Sequence, residues 1–120
     1  MKLGFIGLGN AGLPIAANLA KAGNELTVYD KKLQRIDLTS PLGMKRAGSP
    51  KEVAGFSEVV FTCLPHPKAS EEVILGEEGV LAGAHPNLIL IELSTVSPFL
   101  VTRIGDIAKT KGVEVLYIAS

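Results

Sequence analysis

Residues 1–30 decide the fold, and they read MKLGFIGLGNAGLPIAANLAKAGNELTVYD. The apolar stretch KLGFI is short and bounded by glycine, which predicts a strand buried on both faces. Residues 10–22 are rich in alanine and leucine and predict a helix that ends before Gly23. ELTVY then predicts a second strand, and Asp30 stands at its carboxyl end. A strand, a glycine-rich turn, a helix and a strand therefore follow one another at the start of the chain.

The remaining sequence continues the same alternation. Three further strands are predicted from the β-branched and apolar stretches EVVFTCL, NLILIEL and VEVLYI. Helices are predicted over residues 31–37 and 68–75, and from the cap-plus-proline pairs Ser49-Pro50 and Ser97-Pro98. The first of those pairs, with Glu52, forms a capping box whose helix runs to about Ser57.

The last predicted helix reaches Gly112 and places Leu100, Ile104 and Ile107 on one apolar face. Strands that alternate with helices through short linkers favour right-handed crossovers and a parallel sheet with helices on both faces. We therefore predict an α/β fold, a Rossmann-type, doubly wound and mostly parallel sheet, in one domain over residues 1–120.

Composition limits the classes of function. Twelve basic and twelve acidic residues cancel, which argues against a nucleic-acid-binding surface or a polybasic membrane patch. Glycines interrupt the apolar N-terminus, so we expect no signal peptide, and no apolar run reaches the ~20 residues of a membrane span. The single cysteine, Cys63, excludes an internal disulfide and fits a reducing compartment. We expect a cytoplasmic protein that partners neither nucleic acid nor membrane.

The glycines match the dinucleotide-binding pattern G-x-G-x-x-G, formed here by Gly7, Leu8, Gly9, Asn10, Ala11 and Gly12. The pattern gains meaning from its place between a predicted strand and a predicted helix. Gly7 allows a tight turn, Gly9 lets a pyrophosphate approach the backbone, and Gly12 lets the helix pack close to the strand. The first helical N–H groups then face the phosphates. The alternative is a glycine-rich turn required only for packing.

Asp30 lies eighteen positions after Gly12, near the ~20-residue offset of the acid that binds the adenosine ribose. A carboxylate there repels a 2′-phosphate, which favours NAD over NADP as the cofactor. Lys31, Lys32 and Arg35 partly offset that charge, so NADP stays open. The alternative for Asp30 is a solvated acid at the end of a strand.

Several segments together resemble one enzyme family. They are GFIGLGNAGLPIAANLAKAG, LTVYD, AGSPKEVA, VVFTCLP, GVLAG and LSTVSP. In this order they closely resemble the β-hydroxyacid dehydrogenases, which include the 3-hydroxyisobutyrate dehydrogenases and share their N-terminal half with 6-phosphogluconate dehydrogenases. The resemblance implies that residues 7–12 cradle the pyrophosphate and that Asp30 holds the adenosine ribose. It further implies that Leu64 and Pro65 line the cofactor groove and that Thr95 lies near the nicotinamide ribose. Without it, Pro65 equally ends a strand, and Ser94 and Thr95 equally cap local backbone.

The sequence departs from that family at its C-terminal end. Residues 117–120, YIAS, stand where the family has an Asp-Ala-Pro-Val-Ser-Gly-Gly loop, and the family's catalytic lysine and all-helical substrate domain come later. Lys109 and Lys111 precede the last strand and do not replace that lysine. We therefore expect no catalytic residue in this chain, and a small hydroxyacid as substrate only of a complete enzyme.

The remaining reactive side chains give no second site. His66 and His85 stand beside prolines without a paired acid, which favours solvated loop histidines. Cys63 ends an apolar strand and is expected to be an inert core thiol. No cluster has the spacing of metal ligands.

Two functions agree with these observations. The chain is either the cofactor-binding half of an NAD-dependent 3-hydroxyacid dehydrogenase, truncated or excised, or a stand-alone dinucleotide-binding module without chemistry. A Rossmann domain from an unrelated reductase is the more distant alternative. The apolar strand VEVLYI also predicts a homodimer, because sheet edges of this kind tend to pair.

Overall fold

The fold is built on one parallel sheet of six strands, and the computed structural model describes residues 1–94 and 96–118. The strands are β1 (Lys2–Ile6), β2 (Glu25–Tyr29), β3 (Lys45–Arg46), β4 (Val59–Thr62), β5 (Ile89–Glu92) and β6 (Glu114–Tyr117). Their order across the sheet is β3-β2-β1-β4-β5-β6, and every neighbouring pair is parallel. The predicted doubly wound α/β fold is confirmed, since this is the strand order of Rossmann domains.

The register places the carboxyl ends of the central strands at one level. Ile6 of β1 pairs with Tyr29 of β2 on one side and with Thr62 of β4 on the other. Thr62 in turn pairs with Glu92 of β5, which pairs with Tyr117 of β6. Loops that leave these strands therefore meet along one edge of the sheet, where the strand order reverses between β1 and β4.

Helices cover both faces of the sheet. They are α1 (Gly12–Lys21), α2 (Leu33–Asp37), α3 (Pro50–Gly55), α4 (Pro67–Leu75) and α5 (Pro98–Thr110). Ala16 of α1 and Ile36 of α2 pack with Phe5 and Val28 in one core cluster. The other three helices contribute to a second cluster on the opposite face, with Val53, Ile74 and Ile104. No helix among residues 1–94 and 96–118 is both long and apolar enough to cross a membrane.

Side-chain caps fix the starts of three helices. Ser49 Oγ accepts from the backbone N–H of Glu52, and Ser97 Oγ accepts from that of Leu100, each at 3.1 Å. Both caps were predicted from the sequence. The third cap was not: His66 Nδ1 accepts from the Ala69 N–H at 3.2 Å and begins α4.

The structure corrects several predicted boundaries. The first helix begins at Gly12, because residues 10 and 11 still belong to the turn, and α2 begins at Leu33 instead of residue 31. Ile107 is 37% exposed, whereas Ala108 is buried beside Leu100 and Ile104. The spacing of four residues keeps these three on the core side of α5, and Ile107 falls outside that stripe.

Candidate functional site

A cleft of about 780 Å³ lies at the carboxyl edge of the sheet, between the loops that follow β1, β2 and β4. This volume is within the usual range of small-molecule and cofactor pockets. The lining residues come from the glycine loop, the end of β2, and the segment from the end of β4 into α4: Ile6, Gly7, Gly9, Asn10, Ala11, Gly12, Tyr29, Asp30, Lys31, Lys32, Arg35, Cys63, Leu64, Pro65, His66, Lys68, Ala69, Glu72 and Val73. The first two turns of α4 contribute Lys68, Ala69, Glu72 and Val73 to one wall, which the sequence pattern did not predict.

Two of the three motif glycines are required by the fold itself. Gly7 has φ +101°, and its N–H donates to the Tyr29 carbonyl at 3.1 Å. A Cβ on Gly7 would overlap the backbone carbonyl of Cys63, and one on Gly12 would overlap the carbonyl of Gly7. The tight turn and the close approach predicted for these two positions are therefore present.

Gly9 differs from both. A Cβ built on Gly9 meets no described atom within 4 Å, and Gly9 lines the cleft. Its φ lies outside the positive region, so the backbone conformation does not require glycine at this position. Neither neighbouring atoms nor backbone conformation thus explains the glycine. A ligand that approaches the backbone at this point does explain it.

The helix that follows the loop presents its amino end to the same space. Helix α1 has no side-chain cap, although Leu13 N–H already donates to the Gly9 carbonyl at 3.0 Å. The first N–H groups of an uncapped helix carry partial positive charge, which suits an anion such as a phosphate. Asn10 and Ala11 are exposed along this stretch.

Leu8 takes part only through its backbone, because its side chain is fully buried in the core. Its N–H donates to Asp30 Oδ2 at 2.7 Å, and its carbonyl accepts from Arg35 Nε at 2.8 Å. The other Asp30 oxygen accepts from the Lys32 N–H at 2.8 Å. Asp30 and Arg35 therefore hold the glycine loop against the end of β2. Asp30 is part of a hydrogen-bonded structure and not a solvated acid.

Asp30 nevertheless keeps capacity for a ligand. A carboxylate offers about four lone-pair sites, and two of them are used by the backbone. Asp30 lines the cleft together with Lys31, Lys32 and Arg35. One acid and three cations thus line the part of the cleft formed by the segment that follows β2.

Leu64 and Pro65 form part of the opposite wall. The Leu64 N–H donates to Ser94 Oγ, which joins the segment after β4 to the segment after β5. Ser94 therefore bonds a backbone group 30 residues away and does not cap local backbone through this hydroxyl contact. Thr95, the last of the predicted site residues, lies outside the described residues.

The remaining reactive side chains are placed differently from the expectations. Cys63 lines the cleft and is half-buried, so it is not a core thiol. Burial raises the pKa of its thiol, and the charge of Glu92 raises the pKa further, which keeps the thiol protonated at neutral pH. His85 is not free in solvent, since Nε2 lies 2.8 Å from the Ser57 carbonyl oxygen. Among the described residues, no group of side chains could hold a metal ion.

The fold and the cleft define a dinucleotide-binding domain of the Rossmann class. The sequence profile described as the NAD binding domain of 6-phosphogluconate dehydrogenase matches residues 2–118. The chain belongs to this family, as the resemblance predicted, and its cofactor is a nicotinamide dinucleotide.

Individual relatives extend this result. The chain is 33% identical over 111 residues to the cytokine-like nuclear factor N-PAC of Danio rerio, which covers 92% of the chain and 24% of that protein. It is 37% identical over 97 residues to an uncharacterized oxidoreductase of Shewanella frigidimarina, covering 80% of the chain and 33% of the relative. The chain thus spans about a quarter to a third of these curated relatives.

Among solved structures, the 3-hydroxyisobutyrate dehydrogenase of Mycobacterium tuberculosis, determined with L-serine, superposes with a TM-score of 0.85 at 29% identity. The match covers 97% of the chain and 39% of that enzyme. The likeness to 3-hydroxyisobutyrate dehydrogenases predicted from the motifs is confirmed for this domain.

Proposed function

We propose that the cleft binds NAD or NADP with the pyrophosphate at the glycine loop, as part of a 3-hydroxyacid dehydrogenase-type oxidoreductase. The observation that carries the proposal concerns Gly9. This glycine lines the cleft, and a Cβ on it would meet no described atom within 4 Å, so the absence of a side chain leaves room for a ligand only. The substitution Gly9→Val, treated in the Discussion, is its test.

Each part of the cleft has a role in this proposal. The N–H groups at the start of α1 bind the pyrophosphate, and the free lone pairs of Asp30 accept from the adenosine ribose. Leu64 and Pro65 contact the nicotinamide half, and the family resemblance assigns the nicotinamide ribose to Thr95. When bound, the nicotinamide supplies the hydride acceptor, while these residues orient it and exclude water.

The charges at the end of β2 favour NAD over NADP. The Asp30 carboxylate repels a 2′-phosphate, while Lys31 and Lys32 attract one. Arg35 is less available because its Nε is already used by the Leu8 carbonyl. Asp30 is fixed at the loop by two backbone donors, whereas Lys31 and Lys32 are exposed and their attraction is more strongly screened by solvent and salt, which favours NAD.

Asp30→Asn is expected to reduce the preference for NADH over NADPH by about tenfold, since removing one charge changes the interaction by about 1.4 kcal/mol. The loop also loosens, because an amide accepts only one of the two N–H bonds. This second effect weakens both cofactors and cancels in their affinity ratio. Calorimetry with both cofactors on the purified chain measures the ratio.

Asp37→Asn is the matched control, because Asp37 loses the same charge in an exposed pair with Arg46 at 2.9 Å. Its affinity ratio is expected to equal that of the parent. An unchanged ratio in Asp30→Asn would contradict the assignment of Asp30 to the ribose.

A stand-alone binding module is the second candidate function, and the likeness to the nuclear factor N-PAC favours it. The two functions differ in whether hydride transfer occurs in the protein that contains this domain. We expect residues 1–120 alone to bind NADH but not to oxidise 3-hydroxyisobutyrate or a related acid when NAD⁺ is supplied as the hydride acceptor. The absorbance of NADH measures whether any is formed. Turnover by this chain would contradict that expectation.

A cytoplasmic location fits the free thiol of Cys63 in the cleft.

We also propose that residues 1–120 pair through β6. The two edges of the sheet differ: Lys45 and Arg46 of β3 are charged and exposed, whereas Leu116, Tyr117 and Ile118 at the β6 edge are apolar and at least 38% exposed. Charged, short edges resist pairing, while apolar ones promote it. Light scattering is expected to give a dimer at high concentration, and Leu116→Lys a monomer. A monomeric parent would contradict the proposal.

A further inference from the structure

A chain of hydrogen bonds links the buried end of β5 to the wall of the cleft. Glu92 is 0% exposed, and its Oε1 accepts from the Ser94 N–H at 2.8 Å. Ser94 Oγ accepts in turn from the Leu64 N–H at 2.5 Å. Neither Glu92 nor Ser94 lines the cleft, but Leu64 does.

The surroundings make a carboxylate at this position costly. Glu92 Oε2 has no hydrogen-bond partner among the described residues, and the same holds for the fully buried hydroxyls of Thr62 and Ser70. Thr62 is the register partner of Glu92, so both side chains leave the sheet on the same face. That face belongs to the core cluster containing Leu90 and Ile74.

The charge of Glu92 also affects two ionisable side chains outside this core. It raises the pKa of the Cys63 thiol and of the Tyr117 hydroxyl, in each case after the larger effect of burial. Burying a carboxylate costs several kcal/mol unless its lone pairs are satisfied, and an apolar residue of similar volume is usually cheaper. Stability alone therefore does not account for a glutamate here.

Hydrogen-bond geometry does account for the glutamate at position 92. A carboxylate at the end of β5 provides a strong acceptor for the Ser94 N–H, and this bond turns Ser94 towards β4. The serine hydroxyl then accepts the Leu64 N–H, which has left the ladder of the sheet at that point. The two segments that follow β4 and β5 are thereby held in one arrangement.

We infer that Glu92 is a positioning residue that acts through Ser94 to fix Leu64 and Pro65 against the nicotinamide half of the cofactor. The inference rests on the proposed function of the cleft. The β4–β6 half of a Rossmann domain faces one mononucleotide and the β1–β3 half faces the other. The Glu92–Ser94 pair therefore affects the nicotinamide half and leaves the adenosine half alone.

The test compares two ligands, NADH and ADP, by calorimetry on Ser94→Ala, Glu92→Leu and Glu92→Gln. ADP carries the adenosine and pyrophosphate contacts without nicotinamide. Ser94→Ala and Glu92→Leu are each expected to weaken NADH binding about tenfold, the value of one lost hydrogen bond, and to leave ADP binding within about twofold. Glu92→Gln keeps an oxygen for the Ser94 N–H and is expected to retain the NADH affinity of the parent.

Thermal unfolding separates positioning from a general structural role. Glu92→Leu removes a buried charge, so its Tm is expected to equal or exceed that of the parent while its NADH affinity falls. Thr62→Val is the control, because it removes the buried hydroxyl beside Glu92 and leaves the bond between Glu92 and Ser94 in place. The NADH affinity of Thr62→Val is expected to equal that of the parent. If Glu92→Leu fails to fold, Ser94→Ala and Glu92→Gln decide the question.

Four results would overturn the inference. Equal losses of NADH and ADP affinity in Ser94→Ala, or no loss of either, would refute it while the proposed function stands. A parent chain that binds ADP but not NADH would refute the nicotinamide site, and a parent that binds neither would refute the proposed function with it.

Discussion

Gly9→Val is expected to reduce NADH affinity at least about a hundredfold, while the free energy of unfolding stays within about 0.5 kcal/mol of the parent value. A Cβ at this position meets no described protein atom within 4 Å, and Gly9 lines the cleft, so the valine side chain is expected to extend into the cleft. There it occupies the space that a pyrophosphate needs to reach the N–H groups of α1. Calorimetry gives the affinity, and urea unfolding followed by circular dichroism gives the stability.

Gly105→Val provides the matched control, because Gly105 is exposed on α5, is equally open around its Cβ position and does not line the cleft. NADH affinity in this variant is expected to equal that of the parent. If Gly9→Val bound NADH as well as Gly105→Val does, the glycine loop would not be the phosphate site.

Gly7→Ala is expected to have the opposite profile, with a loss of unfolding free energy of about 3 kcal/mol or more. Its φ of +101° disfavours any side chain, and a Cβ there would overlap the Cys63 backbone carbonyl. A backbone atom at the end of β4 moves only if the sheet distorts. Since the free energy of unfolding of a domain of this size is about 5–15 kcal/mol, the variant loses a large part of it. Urea unfolding measures the loss.

Gly23→Ala separates the two causes of this destabilisation. Gly23 has a similar φ of +97°, but a Cβ on it meets nothing within 4 Å among the described residues. Only the backbone cost of about 1 kcal/mol is then expected. Equal losses in Gly7→Ala and Gly23→Ala would mean that the contact with β4 is unimportant.

The strands and most helices could be predicted because each is specified by local pattern. KLGFI and ELTVY became β1 and β2 at the predicted residues, and the Ser49 and Ser97 caps formed as expected. The roles of Gly7 and Gly12 also followed from their spacing, since a strand–turn–helix unit imposes the same close contacts wherever it occurs.

Long-range hydrogen bonds could not be predicted in this way. The bond from Leu8 to Asp30 joins residues 22 positions apart, and that from Leu64 to Ser94 joins residues 30 positions apart. Which backbone donors an acid or a hydroxyl meets depends on how neighbouring strands end, and spacing carries no record of this. The sequence therefore identified Asp30 as an acid near the cofactor but not as a support of the glycine loop.

The short strand β3 was missed for a different reason. Its two residues, Lys45 and Arg46, are charged and exposed, and they carry no apolar alternation. Pairing with β2 alone makes them a strand. The cap formed by His66 was missed because histidine is not among the usual N-cap residues.

The strand order also constrains how the chain acquires its structure during synthesis. Within residues 1–120, β1 is synthesised before the other strands and is flanked in the sheet by β2 and β4, so its second edge stays open until residues 59–62 have emerged. Until then the nascent chain exposes an apolar parallel edge, and contacts of such long sequence separation form slowly. A pause in translation before β4 has emerged should therefore lengthen the interval in which the newborn domain is prone to aggregate, whereas a pause after β4 has emerged should leave that interval unchanged.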